Sequence, residues 1–526
     1  MDLHFGDSKP SDEERAAVDA LLGPPESSWE GADRSDADLR WARGGRAARD
    51  RRDLLLPGLH AVNDRIGWIS EGALDYLCRR LTVPPAEAYG VATFYSMFAV
   101  KPRPATVLHV CTDLACASAG AAELCAGVEA RLGPGSGVGV ERGPCLGLCE
   151  RAPAALAVRA GDPVRTAVSA PATVEAAVLA ASAPDSAPEE PSAALAVPQA
   201  GQDGLVLLRR VGVVDPASLD DYRAHGGYAA LRRAFELGPA EVIREVTDAG
   251  LVGRGGAAFP TGRKWQATAS RPDRPHHLVC NADESEPGTF KDRVIMEGDP
   301  YALVESMTIA AYAVGAHQGY LYLRGEYPRA LERMSHAIEQ ARARGLLGDD
   351  VLGQGYAFDI EIRRGAGAYI CGEETALFNS IEGYRGSRGR SRPSPWRRAC
   401  SAGPLPRTMS RRWSTCCPSS RWGRRRTRRS ARRSPPGPSS SACRAAWTGP
   451  ASTSCRSARR WASCWSWPEC GNGCARSCSA ARPAASYGPT NGTSRSPSKA
   501  PVRRAPRSAR ESSWPSTTPS RSPGSS

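Results

Sequence analysis

The chain reads as an α/β protein with a helical N-terminal part, and residues after 386 lack a native-like fold. Three observations lead there. Before residue 104, apolar residues recur at helical spacing. From Ala105 onward, short branched β runs alternate with helices. Then the charge breaks: residues 1–386 hold 40 Lys and Arg against 53 Asp and Glu, whereas 387–526 hold 29 against 2. The net charge of +14 over 526 residues averages an acidic and a basic region, so it carries no argument for a nucleic-acid binder. No apolar run is long enough for a transmembrane helix. Asp2, Asp7, Asp12 and Glu13 precede any apolar stretch, which argues against a signal peptide. In a cytoplasmic chain thiols stay reduced, so the cysteines are metal ligands or core residues rather than disulfides.

Residues 1–36 are polar and expected to be disordered. Residues 37–104 are expected to form a helical bundle. In LLPGLHAVNDRIGWISEGALDYLCRRL, Ser70 is the expected N-cap of a helix over Glu71–Leu81. Pro84 and Pro85 end it, and Pro85 opens the next helix. Residues 105–181 form a small α/β domain. Its elements are the β run ATVLHVCTD, a helix over Ala119–Leu132, a glycine turn, a cysteine loop, the β run ALAVR and a helix over Pro171–Ala181. The Ala/Pro-rich residues 182–203 read as a linker. In residues 204–386 the β runs are VLLRRVGVV, HHLVCNA, GYLYLRG and FDIEIRRG. Helices are expected over Leu219–Leu237, Pro239–Ala249, Pro300–Val314, Tyr327–Arg344 and Glu373–Glu382. That alternation predicts an open sheet with ligands at the strand ends.

Cys111 and Cys116 are spaced C-x4-C, and Cys145 and Cys149 C-x3-C. Four thiolates from two loops at β ends suit a soft iron–sulfur site. Zinc and a plain cysteine core are the alternatives. Cys78 and Cys125 lie on helical faces and read as core.

Three further loops belong together. In GLVGRGGAAFPTGRKW, Gly253, Gly255 and Gly256 let a backbone approach a ligand, and Arg254 and Lys264 add positive charge for a phosphate. CNADESEPGTFKDR places Asn281, Asp283, Glu284 and Glu286 after a β run. GAGAYICGEETAL does the same with Tyr369, Gly372, Glu373 and Glu374. Such carboxylates are acceptors for ribityl and ribose hydroxyls and for a nicotinamide amide.

The cysteine pairs, with LLPGLHAVNDRIGWIS and PPAEAYGVATFYSMF, resemble the E-type subunit of NADH:quinone oxidoreductase. That resemblance implies a thioredoxin-like domain binding one [2Fe-2S] cluster through Cys111, Cys116, Cys145 and Cys149. The three later loops resemble the F-type flavoprotein subunit of the same enzyme, over about Val206–Gly386. They imply an α/β domain binding FMN at Gly253, Arg254, Gly255, Lys264, Asn281, Asp283, Tyr369, Gly372 and Glu373. NADH contacts are implied at Phe259, Glu286 and Glu374. The family's second aromatic, eight residues after Phe259, is here Ala267. E-then-F order in one chain resembles the diaphorase subunits of NAD-linked formate dehydrogenases and bidirectional hydrogenases. It also fits a fused respiratory subunit. The implied activity is an NADH dehydrogenase in which FMN carries the hydride chemistry and no side chain acts as acid or base. Partners are then the other subunits of such a complex, and no direct membrane insertion is implied. The implied location is cytoplasmic, or peripheral to the membrane through those subunits. The alternative is a [2Fe-2S] carrier with a non-functional flavin domain.

Residues 387–526 carry 9 of the 17 Cys and 8 of the 12 Trp, unlike ordinary disorder. Reading each codon from its third base turns TMSRRWSTCCP (408–418) into DVETLVNVLP, near the family's NNVETL element. The same shift turns SRGRSRPSP (387–395) into PRPKPPFP, ASCWSWPE into GELLELAG, and SSWPSTT into a segment resembling the family's VIVFDD. A frame change near Gly386–Ser387 is therefore expected. It removes the family's NADH-binding Lys, its FMN-binding Asn pair and its [4Fe-4S] ligands. Cys470, Cys474 and Cys478 do not reproduce that ligand spacing.

Overall fold

The computed structural model describes residues 8–25, residues 51–388 except Gly256 and Asp273, and the backbone of 413–416. The expected disorder of residues 1–36 gives way to a helix, α1 (Asp12–Leu22). A reciprocal cap starts it: the Glu14 amide donates to Ser11 Oγ at 3.2 Å, and the Ser11 amide to Glu14 Oε2 at 2.8 Å. Val18 and Leu22 are then buried against α2 (Leu55–Ile66) and α3 (Glu71–Leu81). The Ala73 amide donates to Ser70 Oγ at 3.0 Å, the expected cap of α3. Pro85 opens α4 (Pro85–Ala92).

These helices were expected to form a bundle of their own. Instead their core continues into the second sheet, where Tyr95 and Phe98 pack with Val279, Tyr320, Tyr322, Leu377 and Ile381. The hydroxyls of Tyr95 and Tyr322 both meet Ser380 Oγ, at 2.6 and 2.8 Å. The physical reason is area: a parallel sheet must be covered on both faces, and this helical layer covers one of them.

The first sheet contains β1 (Thr106–Cys111), β2 (Val138–Gly143), β3 (Ala155–Arg159) and β4 (Arg165–Ser169), in the order β2-β1-β3-β4. Strand β1 runs parallel to β2 and antiparallel to β3, and β3 is antiparallel to β4. Helices α5 (Leu114–Ser118), α6 (Ala121–Arg131) and α7 (Val174–Ser182) accompany it. Strands β2 and β4 were not expected from the sequence, because they are half-exposed edge strands without a continuous apolar run. Register pairs Cys111 with Gly143, which sets the two cysteine loops side by side.

Residues 182–203 are not a free linker. Ala193 and Val197 are buried with Val211 and Val294, and Arg329 donates to the Pro191 carbonyl at 2.7 Å. The expected strand VLLRRVGVV does not form. Its Arg210 turns inward to a buried ion pair with Asp299 at 2.9 Å, and Gly212 adopts φ +78°. The expected helix Leu219–Leu237 splits into α8 (Leu219–Ala224) and α9 (Ala229–Leu237), because Gly226 and Tyr228 take positive φ between them.

Helices α10 (Pro239–Asp248) and α11 (Thr261–Ala269) precede β5 (His276–Ala282). After it come α12 (Lys291–Gly298), α13 (Pro300–Val314), β6 (Ala316–Leu323), α14 (Pro328–Ala343), β7 (Asp359–Arg364) and α15 (Glu374–Ile381). The sheet order is β7-β6-β5-β8, with every pairing parallel. Strand β8 is Trp413–Cys416, which pairs with His277–Cys280 of β5. An open edge of β5 offers unpaired backbone groups for such a strand. The parallel order brings the carboxyl ends of β5, β6 and β7 to one edge, and the loops from Asn281, Arg324 and Gly365 gather there.

Candidate functional site

The four cysteine sulfurs stand in a string. Cys116 neighbours Cys111, Cys111 neighbours Cys145, and Cys145 Sγ lies 3.4 Å from Cys149 Sγ. Cys111, Cys116 and Cys145 are buried, and Cys149 is partly exposed. Their protons are unequally held. Cys111 is pushed up to about 11, first by Cys116 beside it, while Cys116 is lowered by the hydrogen bond from Cys111. Cys149 is raised, first by Cys145 and then by burial. Metal binding replaces such shared protons. Amides already point at the sulfurs: Gly147 N–H at Cys145 Sγ (3.3 Å), Gly288 N–H at Cys149 Sγ (3.2 Å), and the amides of Asp113 and Ala154 at Cys111 and Cys116. Among the described residues no three His, Cys, Asp or Glu side chains surround one point as a single ion requires. A two-iron core takes two thiolates at each iron, and this string fits it. Cys78 and Cys125 are buried in separate cores, away from the four.

The glycine loop leaves Leu251 and returns on itself. Gly253 N–H donates to the Phe259 carbonyl at 2.9 Å, and Thr261 N–H to the Leu251 carbonyl at 2.8 Å. Arg254, Gly255 and Phe259 lie on this exposed loop, Phe259 being 45% exposed; Gly256 lies outside the described residues. Gly262, which sequence reasoning missed, is where α11 crosses α10: a Cβ there would collide with Thr247.

The loops at the strand ends converge. Lys264 Nζ reaches Glu374 Oε1 at 2.5 Å, and Tyr369 donates to Glu286 Oε2 at 3.2 Å. Asn281 donates to the Gly372 carbonyl at 2.9 Å, and a Cβ on Gly372 would press on the Asp283 carbonyl at 3.1 Å. Glu373 caps α15, accepting from the amides of Thr375 and Ala376 at 3.1 Å each. Asp283 is buried, and its Oδ2 meets no donor among the described residues. Burial first, then the charge of Glu326, pushes it up to about 8. A buried carboxyl with one unpartnered oxygen among these loops fits a hydroxyl-bearing cofactor.

Glu284 is a correction. Expected among the cofactor-binding residues, it is committed elsewhere: its carboxylate accepts from the amides of Asp292 and Arg293 at 3.1 Å and from Lys291 at 3.2 Å. It is the anchor of the α12 N-terminus, where a carboxylate is favoured by the exposed amides.

Two arginines that sequence reasoning overlooked join the sites. Arg324, just after β6, donates to the carbonyls of both Cys145 and Glu284. Arg293 donates to the Gly147 carbonyl at 3.1 Å and pairs with Glu150 and Glu297. Both are buried, so the cysteine loop and the acidic loop share one interface. The available signal was the position of Arg324 directly after a buried strand, where ligand-facing groups collect.

Comparison with known proteins separates the two halves. Residues 45–171 match the thioredoxin-like [2Fe-2S] ferredoxin family, and residues 246–397 match the Nuo51 FMN-binding domain. The chain joins a thioredoxin-like [2Fe-2S] domain to a Nuo51 FMN-binding domain. It is 52% identical over 191 residues to an F-type subunit of the NADH-quinone oxidoreductase of Rhizobium meliloti, covering 36% of this chain and 45% of that protein. It is 48% identical over 190 residues to the HndC protein of the NADP-reducing hydrogenase of Solidesulfovibrio fructosivorans, covering 36% of this chain and 39% of that protein. The structure also resembles an NAD+-reducing [NiFe]-hydrogenase in the air-oxidised state, with TM-score 0.55 and 28% identity over 72% of this chain and 61% of that one. The chain thus spans less than half the length of these curated relatives. The Nuo51 match runs to residue 397, somewhat past the expected break at Gly386.

Proposed function

We propose that the chain is the NADH-oxidising module of a larger oxidoreductase, taking electrons from a nicotinamide nucleotide and delivering them singly to iron–sulfur centres. The observation that carries this reading is the shared interface. The loop holding Cys145 and Cys149 is bonded through Arg324 to the loop holding Asn281, Asp283 and Glu286. Bound FMN supplies hydride acceptance and release of single electrons.

The chain's own residues bind and orient. The Gly253–Phe259 loop and Arg254 offer amides and charge to a phosphate. Asp283 and Asn281 offer buried polar atoms to the ribityl chain. Lys264, now held by Glu374, adds positive charge for the phosphate. Phe259 forms one wall of the nicotinamide slot, and Glu286 with Glu374 accepts from the nucleotide. Glu373 commits its carboxylate to α15, so its part is to hold that helix end in place. The other partners are subunits of a respiratory complex, a formate dehydrogenase or a hydrogenase.

Anaerobic reconstitution followed by NADH addition tests the reading. A flavin absorption band bleached by NADH is the expected result. Iron–sulfur colour with no NADH-reducible flavin favours the carrier alternative, which the loss of the in-frame RxKPPFP and NNVETL elements supports. We also read residues 387–526 as a shifted frame. Resequencing the gene across codon 387 tests that, and an intact single frame overturns it.

A further inference from the structure

The Glu286–Thr289 turn of the flavin domain makes a bond that the proposed function does not use. Pro287 and Gly288 occupy its corner, with Gly288 at φ +88° as a type II turn requires. The Glu286 carbonyl accepts from Thr289 N–H at 3.1 Å and from Thr289 Oγ1 at 2.7 Å, which locks the turn. The Gly288 amide is thereby aimed out of its own domain, 3.2 Å from Cys149 Sγ. The amides directed at the other three sulfurs, Asp113 N–H at Cys111, Ala154 N–H at Cys116 and Gly147 N–H at Cys145, all come from the cysteine-bearing domain itself. Cys149 is also the most exposed of the four thiols.

We infer that this turn sets the reduction potential of the iron–sulfur site across the domain interface, with Gly288 as the positioning residue. The inference rests on the [2Fe-2S] reading of the four cysteines. An N–H bond to a ligating sulfur stabilises the more negative state, so it favours the reduced cluster and raises the potential. The redox event is the gain of one electron from an external reductant such as dithionite; no covalent bond breaks and no proton moves. The arginines strengthen the arrangement, since Arg324 and Arg293 fix the carbonyls of Cys145 and Gly147 and hold the cysteine loop against the turn. The flavin domain therefore acts on the cluster even with no flavin bound.

The test is an EPR-monitored potentiometric titration of the full chain, reconstituted with iron and sulfide. Gly288→Ala meets no neighbour within 4 Å but cannot rest easily at φ +88°, so it moves the amide without a clash. It is expected to lower the reduced-to-oxidised ratio at a given potential about tenfold, equivalent to about 59 mV for one electron. Thr289→Val, which loosens the turn and keeps Gly288, is expected to shift the titration the same way by less. If Gly288→Ala does not retain a cluster, Thr289→Val alone decides. Variants that titrate together with the wild type overturn the inference while leaving the cluster intact. A wild type without any EPR signal on reduction removes the [2Fe-2S] reading, and this inference with it.

Discussion

At the cysteine site four sulfurs already stand beside one another, whereas in the flavin loops several charged groups are partnered among themselves. Lys264 holds Glu374, Tyr369 holds Glu286, and Glu373 caps its own helix. The cysteine ligands hang from neighbouring strand ends, where the pairing of Cys111 with Gly143 brings the loops together. The flavin loops come from residues 253 to 374, and the family elements that complete such a site fall where this chain changes character. A site carried by one small sheet depends on few elements; a site gathered from a whole sheet depends on many.

That contrast can be broken most severely at the sulfurs. Cys145→Ala is expected to abolish the iron–sulfur absorbance after reconstitution while leaving the far-ultraviolet circular dichroism intact. Retained colour at full intensity would contradict the ligand assignment. Next in size is repair of the reading frame after Gly386. Each recovered hydrogen bond to a charged partner contributes about 1.5–3 kcal/mol, roughly tenfold or more in FMN affinity. Fluorescence titration with FMN measures it, and equal affinity before and after repair refutes the frame argument.

Removing the bridge between the sites probes their shared interface. Arg293→Ala leaves Glu297 buried without one of its partners and the Gly147 carbonyl without a donor. A loss of about 3–5 kcal/mol in urea unfolding is expected. A smaller change concerns pH. Asp283 is held at about 8 against an ordinary 3.8, so between these values the folded state keeps a proton that the unfolded chain releases. Its contribution is fully present below pH 3.8 and is lost as pH rises toward 8. Asp283→Asn is expected to flatten this decline by roughly a few kcal/mol; parallel stability profiles for the two proteins would count against it. Smallest is Ser70→Ala, which removes the cap of α3 in the layer shared by both domains and is expected to cost about 1 kcal/mol, read as a lower thermal midpoint.

Much of this was legible in the residues. The run HHLVCNA matches β5 and ALAVR matches β3, because buried branched runs admit little else. Ser70 and Pro85 mark helix starts through local chemistry alone. Edge strands β2 and β4 were missed because half-exposed strands carry no apolar run. The inward turn of Arg210 was also illegible, since its partner Asp299 lies far along the chain. At the candidate site, residue types and spacings marked the four thiols and the three loops. They could not show that Glu284 anchors a helix while Asp283, its neighbour, is buried with Oδ2 meeting no donor among the described residues.

The amino-acid order determined which chemistry this protein carries: paired cysteines, a glycine loop, carboxylates after β runs, and the point where the pattern ends. Those are properties of near neighbours along the chain. Tertiary structure alone decided that the N-terminal helices cover the flavin sheet, that Arg293 and Arg324 join the two sites, and that Gly288 reaches a cysteine 139 positions away. Such contacts depend on which strand ends share an edge, and that is set by packing two sheets and a helical layer around common cores.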